Sequence, residues 1–291
     1  MATELSELQS KLVRRICQDY RSWAPRLTKE PVVAMIPSQG LSNLTIKLEA
    51  DGEAWALRLQ QPDPPLGVDR RRELKLQQTA ADYGLAPRIA RCAPDFSFLL
   101  TEWIEPEESL TEECRLELLA TFLKRLHGLP HEPFLEFRAL YLPAHVDSYL
   151  RLLAPGAITH ACLDKVQPQM ADARALIDKE ERVWVICHND LNTGNVLLHR
   201  GSVFALDWEY ASLGSPYFDL AVASGQLESK RHHEFLARYL DRDPTRIESD
   251  TFKAYQLLAA VLELAWRELH ADTEAVAAAS GRLAAVIADP C

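Results

Sequence analysis

The stretch His188-Asn189-Asp190-Leu191-Asn192-Thr193-Gly194-Asn195, followed by Asp207 twelve residues after Asn195, decides how this chain is interpreted. Phosphoryl transfer needs a carboxylate beside the attacking hydroxyl and oxygen ligands for Mg2+ between the phosphates. Asp190 is the candidate catalytic base, and Asn195 and Asp207 are the candidate magnesium ligands. The competing interpretation is a chance Asp and Asn flanking a polar turn, and the agreement of residue types, spacing and strand context counts against it.

The residues between Asn195 and Asp207 are typical of a short hairpin. Residues 196–198 and 203–206 are apolar and strand-like, and Arg200-Gly201-Ser202 is a turn sequence. A hairpin of this kind places Asn195 and Asp207 at the same end. We therefore expect one metal site to use both residues.

Composition excludes several functional classes. The chain has 291 residues, 47% of them hydrophobic and 25% charged, with a net charge of −10. This acidic balance argues against a nucleic-acid surface and suits a cationic substrate. The six cysteines are scattered without a Cys-x-x-Cys pair, which favours reduced thiols over disulfides or zinc.

Glu4 and Glu7 do not fit a signal peptide, and no apolar run could span a bilayer. We expect a cytoplasmic protein without a membrane partner; the oligomeric state stays open.

The first third of the chain is β-rich and the remainder is largely helical. Residues 44–48 and 55–59 are predicted strands around the turn Asp51-Gly52, and residues 96–101 are a third. Helical periodicity dominates after Pro106, including a segment at 168–178. These patterns predict an α+β, protein-kinase-like two-lobed fold. We expect a nucleotide-binding lobe at 1–104 and a catalytic, acceptor-binding lobe at 105–291.

The other parts of a phosphotransferase can be assigned by role within the first lobe. The loop Ser38-Gln39-Gly40-Leu41-Ser42-Asn43 precedes a hairpin and is a candidate cover for the phosphates, with Ser42 and Asn43 as ATP contacts. An ordinary turn is the alternative. Arg58 is the candidate strand cation, and Glu73 on the following helix is its candidate partner. An arginine alternating with leucines is otherwise the polar face of a strand, and an arginine here differs from the lysine of protein kinases.

At these motifs the chain resembles choline and ethanolamine kinases, within a group that includes aminoglycoside phosphotransferases and thiamine kinase. The resemblance covers roughly residues 36–225 and rests on segments at 40–43, 84–87, 187–191, 194–198, 207–211 and 218–221, together with Arg58. It implies ATP and Mg2+ as cofactors and Asp190 as base. It also implies that the backbone of Glu102, Trp103 and Ile104 receives adenine. His188 and Asp219 are implied supports of the catalytic loop, with helix N-capping as the alternative for Asp219.

The acceptor is less well defined by the sequence. Aromatic faces and carboxylates hold a cationic amine best, and the candidate residues are Glu209, Tyr255, Glu263 and Trp266. Glu263 and Trp266 are three apart, so we expect them on one helix face; an aromatic on this apolar stretch is otherwise a core residue. The favoured function is ATP-dependent phosphorylation of a small alcohol such as choline, ethanolamine or thiamine. The alternatives are aminoglycoside or amino-sugar phosphorylation and a non-catalytic nucleotide-binding scaffold.

Overall fold

The structure is a computed structural model that describes residues 5–35, 43–107, 111–180, 183–270 and 273–288. The chain divides into two compact units, Met1–Pro106 and Glu107–Cys291. The division lies two residues after the expected boundary between Ile104 and Glu105. An antiparallel sheet in the first unit and helices in the second confirm the expected α+β class.

The first unit is built on a five-stranded antiparallel sheet. Its elements are α1 (Glu7–Gln18), β1 (Val32–Met35), β2 (Leu44–Ala50), β3 (Glu53–Leu59), α2 (Arg70–Asp82), β4 (Ile89–Cys92) and β5 (Phe98–Glu102). The strand order is β1-β2-β3-β5-β4. Sequence patterns predicted β2, β3 and β5, whereas β1 and β4 are short and were missed.

The predicted hairpin between β2 and β3 is confirmed. Asp51 and Gly52 have φ angles of 51° and 83°, the left-handed values that a two-residue hairpin turn requires. Because successive side chains of a strand point to opposite faces, Ile46, Leu48 and Leu57 lie on one face of the sheet, where each is fully buried. Residues of α1 belong to the same hydrophobic core, so α1 covers that face.

The second unit is mainly helical. Its helices are α3 (Glu112–His127), α4 (Leu142–Leu150), α5 (Ile158–Lys179), α6 (Pro216–Ser224), α7 (His232–Leu240), α8 (Arg246–His270) and α9 (Thr273–Ala288). Two short antiparallel pairs complete it: β6 (Val185–Cys187) with β9 (Ser212–Gly214), and β7 (Val196–His199) with β8 (Ser202–Ala205). None of the helices in the described parts of the chain is long and apolar enough to cross a membrane.

Helix α8 lies at the centre of this unit, and α4, α5, α6 and α9 pack against it. The predicted helix at 168–178 was too short. Helix α5 begins ten residues earlier and contains Pro168, which follows a break in helical geometry at Val166, where φ is −125° and ψ is 16°. Proline removes a backbone donor and clashes with the preceding turn, so the sequence pattern suggested a helix start where the structure has a kink.

Candidate active site

The catalytic loop begins where β6 ends. Strand β6 pairs with β9 from Val185↔Gly214 to Cys187↔Ser212, and His188 follows directly. Asn189 has a left-handed φ of 66°, a conformation that asparagine adopts more readily than most residues. Its Nδ2 group donates to the Tyr210 carbonyl at 2.9 Å and to Ser212 Oγ at 2.8 Å. These bonds tie the loop to the segment that follows Asp207.

Asp219 joins the catalytic loop to α6. Its Oδ2 atom accepts from the His188 amide at 2.8 Å, and its Oδ1 atom accepts from the Asn189 amide at 2.6 Å. The carboxylate is fully buried. The N-cap of α6 is Ser215, whose side chain accepts from the Tyr217 amide, so the capping alternative for Asp219 is wrong.

His188 is also fully buried, and both ring nitrogens are used. Nε2 lies 2.9 Å from the Leu206 carbonyl, and Nδ1 accepts from the Asp190 amide at 3.3 Å. The ring packs edge-on against Trp208 with centroids 4.8 Å apart. Burial lowers the pKa of His188 to about 4, so the imidazole is neutral at physiological pH and donates through Nε2.

Two asparagine side chains fix the carboxylate of Asp190. Asn192 Nδ2 donates to Oδ1 at 2.8 Å, and Asn195 Nδ2 donates to Oδ2 at 2.7 Å. Burial raises the pKa of Asp190 to about 7; the negative charges of Asp207 and Glu209 add to this, and the two asparagine hydrogen bonds oppose it. A carboxyl group with a pKa near neutrality is suited to accepting a proton.

The hairpin predicted after Asn195 is confirmed by the pairing of β7 with β8. The register runs from Val196↔Ala205 to His199↔Ser202, so Ser202 belongs to a strand and the turn is Arg200-Gly201. The Asn195 carbonyl accepts from the Leu206 amide at 2.8 Å, which places Asp207 one residue beyond this bond. The hairpin therefore brings the predicted ligands Asn195 and Asp207 to one end.

The donor set at this end of the hairpin fits Mg2+, which prefers oxygen ligands. Asn195 uses its Nδ2 group on Asp190, so Oδ1 is the atom of this side chain that can bind a cation. Asp207 supplies a carboxylate and has a left-handed φ of 58°, a conformation that aspartate adopts more readily than most residues other than glycine. The nearby charge of Glu209, which acts on Asp190 in the same direction as Asp207, makes a divalent cation favourable here.

Two tyrosines that the sequence did not indicate, Tyr149 and Tyr210, form a group with the predicted Trp266 near the base. Tyr149 OH lies 3.5 Å from Tyr210 OH, and Trp266 Nε1 donates to Tyr210 OH at 3.3 Å. Burial raises the pKa of Tyr149, and the charges of Glu209 and Asp190 raise it further. This group therefore lies within electrostatic reach of both carboxylates. The adjacency of Tyr210 to Glu209 was the available sequence signal, whereas Tyr149 had none.

The predicted acceptor residues do not all meet at this place. Glu209 is 3% exposed and Trp266 contacts Tyr210. Glu263 instead forms a two-point ion pair with Arg282 on α9, at 2.6 and 3.0 Å. Tyr255 is buried and donates to Glu180 Oε2 at 2.8 Å. Glu263 and Tyr255 are thus engaged with other partners.

In the first unit, Arg58 and Glu73 form the expected ion pair. Glu73 also accepts from Arg70 Nη1 at 2.8 Å, a contact that the sequence did not indicate. Glu73 is 1% exposed and Arg58 is 9% exposed, so water screens the pair weakly. Asp69 caps α2 by accepting from the amides of Arg71 and Arg72, which sets Arg70 and Glu73 on the first turn.

The segment expected to receive adenine begins at Glu102, the last residue of β5. The Glu102 amide donates to the Arg88 carbonyl at 2.8 Å, and the Trp103 amide donates to the Ala54 carbonyl at 3.0 Å. Two of the three amides are therefore used inside the unit, which leaves Ile104 as the candidate donor. Asn43, directly before β2, is 5% exposed. Ser42 and the rest of the predicted phosphate loop lie outside the described residues.

Residues 34–258 match the model of a family described as "Phosphotransferase enzyme family". Among curated proteins, the chain is 43% identical over 203 residues to Protein LicA of Haemophilus influenzae, covering 68% of this chain and 59% of that protein. It is 25% identical over 247 residues to the choline/ethanolamine kinase of Homo sapiens, covering 75% and 61%. The chain thus spans about three fifths of the length of these two relatives.

Among solved structures, the chain is similar to a choline/ethanolamine kinase family protein from Mesorhizobium loti. The TM-score is 0.72 at 19% identity, and the match covers 97% of this chain and 95% of the other. This similarity confirms the expected protein-kinase-like fold.

Proposed function

The chain belongs to the phosphotransferase enzyme family, and on that premise we propose that it is an ATP-dependent kinase that phosphorylates the hydroxyl group of a small cationic metabolite. Choline, ethanolamine and thiamine represent the acceptor class. The observation that carries the proposal is the double role of Asn195. Its amide nitrogen holds the carboxylate of Asp190, and its backbone begins the hairpin that sets Asp207.

In the proposed reaction the acceptor oxygen attacks the γ-phosphorus of ATP, the bond to the bridging oxygen breaks, and ADP leaves. Asp190 accepts the hydroxyl proton as the new bond forms. Hydrogen bonds from Asn192 and Asn195 hold both oxygens of Asp190, so the base needs little reorganisation. General-base catalysis contributes about 10²–10⁴-fold, and positioning supplies much of the remainder.

Asn195 Oδ1 and the Asp207 carboxylate are the proposed ligands of Mg2+. When bound, the ion offsets charge that develops on the phosphate oxygens. A cation beside these residues also counters the repulsion that contributes to the raised pKa of Asp190. That effect would favour the ionised form of Asp190, which the reaction requires.

The first unit supplies the proposed contacts to ATP. A guanidinium is permanently charged and can donate two parallel hydrogen bonds to a phosphate. Arg58 is the proposed phosphate ligand, and Glu73 orients it through the buried ion pair. Because Arg70 also pairs with Glu73, the three charges leave one positive charge in excess. The Ile104 amide is the proposed donor to adenine, with the Glu102 carbonyl as the accepting group.

A cationic acceptor is supported by the groups beside the base. Trp266 and Tyr210 offer partly exposed aromatic surface, and Glu209 offers a carboxylate whose charge acts on Tyr149 and Asp190. A cation over an aromatic face gains about 0.5–2 kcal/mol. Glu263, paired with Arg282, is not needed for this arrangement.

A screen of ATP consumption by the purified protein tests the proposal. Choline, ethanolamine and thiamine form one arm, and amino sugars and kanamycin form the other, each with Mg2+ and with the Asp190→Asn variant as background. We expect turnover in the first arm alone. Turnover only with sugars or aminoglycosides would overturn the cationic-metabolite assignment. ATP binding without turnover in either arm would support the non-catalytic scaffold.

A further inference from the structure

We propose that His127 is a positioning residue of the catalytic loop, acting by holding the Asp219 carboxylate in the orientation that accepts the amides of His188 and Asn189. This inference rests on the proposed function for its effect on turnover. His127 ends α3, and its Nε2 atom lies 3.2 Å from Asp219 Oδ2. The imidazole side chain is 4% exposed and the carboxylate is 0% exposed.

Asp219 needs a third donor because of where it lies. Burying a carboxylate is costly unless hydrogen bonds replace its lost water. The amides of His188 and Asn189 each satisfy one oxygen, and His127 adds a second bond to Oδ2. Without that bond, Oδ2 retains one donor and the carboxylate has freedom to rotate away from the loop. Asp190 follows Asn189 directly, so such a rotation displaces the base.

The partners of His127 favour one tautomer. Nδ1 lies 2.9 Å from Tyr239 OH, and the two rings meet edge-on with centroids 5.5 Å apart. Burial raises the pKa of the Tyr239 hydroxyl, so this group keeps a proton that it can donate to Nδ1. An imidazole that accepts at Nδ1 carries its proton on Nε2, the atom that faces Asp219. Burial also raises the pKa of the adjacent Cys187 thiol well above its usual value, which leaves Asp219 as the charge that faces the imidazole.

A hydrogen-bonded support fits these residues better than a metal site. His127, Cys187 and Asp219 place a nitrogen, a sulphur and an oxygen atom within 4.8 Å of one another. However, both Asp219 oxygens already accept backbone amides, and Cys187 Sγ donates to the Ser215 carbonyl at 3.4 Å. A metal ion would have to displace bonds that hold the catalytic loop. The geometry therefore favours a chain of contacts from α7 through α3 and α6 to the base.

Two substitutions separate positioning from general stability. His127→Gln keeps a side-chain N–H donor able to reach Asp219, whereas His127→Leu removes both polar contacts. His232→Leu is the matched control, since His232 lies 2.9 Å from the Ser224 carbonyl through Nε2 and 2.9 Å from Gln256 through Nδ1. It thus removes an imidazole with two satisfied nitrogens from the same unit without touching the catalytic loop.

The first measurement is turnover with the acceptor identified by the screen. A misplacement of about 1 Å at a reacting group can cost about 10²-fold. We expect His127→Leu to lower kcat by about 10–100-fold, with the KM values for ATP and acceptor within about twofold of wild type. His127→Gln restores most of kcat, and His232→Leu keeps it. Equal losses of kcat in His127→Leu and His232→Leu, or no rescue by glutamine, would overturn the proposal.

The second measurement does not depend on phosphotransfer. Hydrogen exchange of the His188 and Asn189 amides reports directly on their bonds to Asp219. We expect exchange to accelerate at these two amides in His127→Leu and to stay slow in His127→Gln and His232→Leu. Unchanged exchange in His127→Leu contradicts the positioning role. Faster exchange in a protein that phosphorylates none of the acceptors supports the positioning role and counts against the proposed function alone.

Discussion

The two units each hold a buried cluster of charge, and the clusters are opposite in character. In the first unit, Glu73 lies between Arg58 and Arg70, so each negative oxygen faces a guanidinium. In the second unit, Asp190 is held by neutral asparagines, and the nearby carboxylates of Asp207 and Glu209 add to the effect of burial on its pKa. One cluster pairs unlike charges, and the other gathers like charges.

This difference shows what each cluster requires. Opposite charges at short distance offset the cost of their burial without a ligand, provided that hydrogen bonds compensate for their lost water. Like charges repel, which raises the pKa of a carboxyl group among them unless a cation approaches. The first cluster is therefore prepared for an anion and the second for a cation. Phosphates and Mg2+ have those charges in the proposed reaction.

The largest expected effect tests the base. Asp190→Asn keeps the shape of the side chain but cannot accept the hydroxyl proton, so we expect kcat to fall by about 10²–10⁴-fold. ATP affinity, measured by calorimetry, should stay near that of wild type because the proposed ATP contacts lie in the first unit. A variant that kept more than about half of the activity would show that the like-charged cluster is not the catalytic one.

Stability against pH tests how strongly burial acts on His188, two residues before the base of the second cluster. The pKa of His188 is about 4 in the folded chain, against 6.5 for an ordinary histidine. Because the folded value is the lower one, protonation favours unfolding. The contribution is fully present above pH 6.5 and is lost as pH falls towards 4, by up to about 3 kcal/mol.

Denaturant unfolding between pH 4 and 7 measures this loss. His188→Gln can keep a donor to the Leu206 carbonyl without titrating, so its stability should fall less steeply than that of wild type across the window. His233→Gln is the control, because His233 is exposed and its replacement should leave the slope unchanged. Parallel curves for wild type and His188→Gln would mean that His188 is solvated.

Local patterns predicted the parts of the fold and site that depend on neighbouring residues. The hairpin after Asn195 followed from its turn sequence and strand residues, and the structure differs by one residue at Ser202. The pairing of Arg58 with Glu73 was expected from their places on a strand and the following helix. Arg70 was missed because Asp69 sets the start of α2, and that start decides which arginine reaches Glu73.

Contacts between distant segments could not be predicted in this way. His127 and Asp219 are 92 positions apart, and only the packing of α3 with α6 joins them. Helical spacing also did not predict that Glu263 and Trp266 contact different partners. Three residues advance a helix by about 300°, so the two side chains diverge by roughly 60°. That angle allows Glu263 to reach Arg282 while Trp266 reaches Tyr210.

The cation requirement of the second cluster can be tested without turnover. A ligand at about 100 times its dissociation constant stabilises a protein by about 2.7 kcal/mol. We expect ATP with Mg2+ to raise the melting temperature of wild type more than ATP alone. Asp207→Ala should respond equally to ATP with and without Mg2+, because the remaining ligand, Asn195, is neutral. A full magnesium response in the variant would exclude Asp207 as the principal ligand.

The anion requirement of the first cluster predicts a change in the KM for ATP. A hydrogen bond to a charged group contributes about 1.5–3 kcal/mol, so Arg58→Gln should raise this KM by roughly 10–100-fold. Arg70 remains on Glu73 in the variant, which limits the loss of folding stability. Arg91→Gln is the control, because Arg91 lies on β4 of the same sheet and pairs with Asp19. An unchanged KM for ATP in Arg58→Gln would leave the first cluster with a structural role alone.

The smallest expected effect concerns the acceptor. It tests whether the cationic acceptor, as a second cation besides Mg2+, binds near the like-charged cluster. Trp266 donates to Tyr210 OH, which lies 3.5 Å from Tyr149 OH. The charges of Glu209 and Asp190 raise the pKa of Tyr149. Loss of a cation–π contact costs about 0.5–2 kcal/mol, so Trp266→Leu should raise the KM for the acceptor by about 2- to 30-fold and leave that for ATP unchanged. Leucine retains apolar packing, which separates recognition from core stability.

Glu263→Gln is the matched control on the same helix, three residues away. Glu263 pairs with Arg282 on α9, and the ion pair is partly exposed. Its loss should therefore change the KM for the acceptor by less than about twofold. If Glu263→Gln raises the KM for the acceptor as much as Trp266→Leu does, the amine is held along the outer face of α8. If Trp266→Leu has no effect while Asp190→Asn abolishes turnover, the phosphotransferase assignment stands and recognition of the amine falls to Glu209 and the tyrosines.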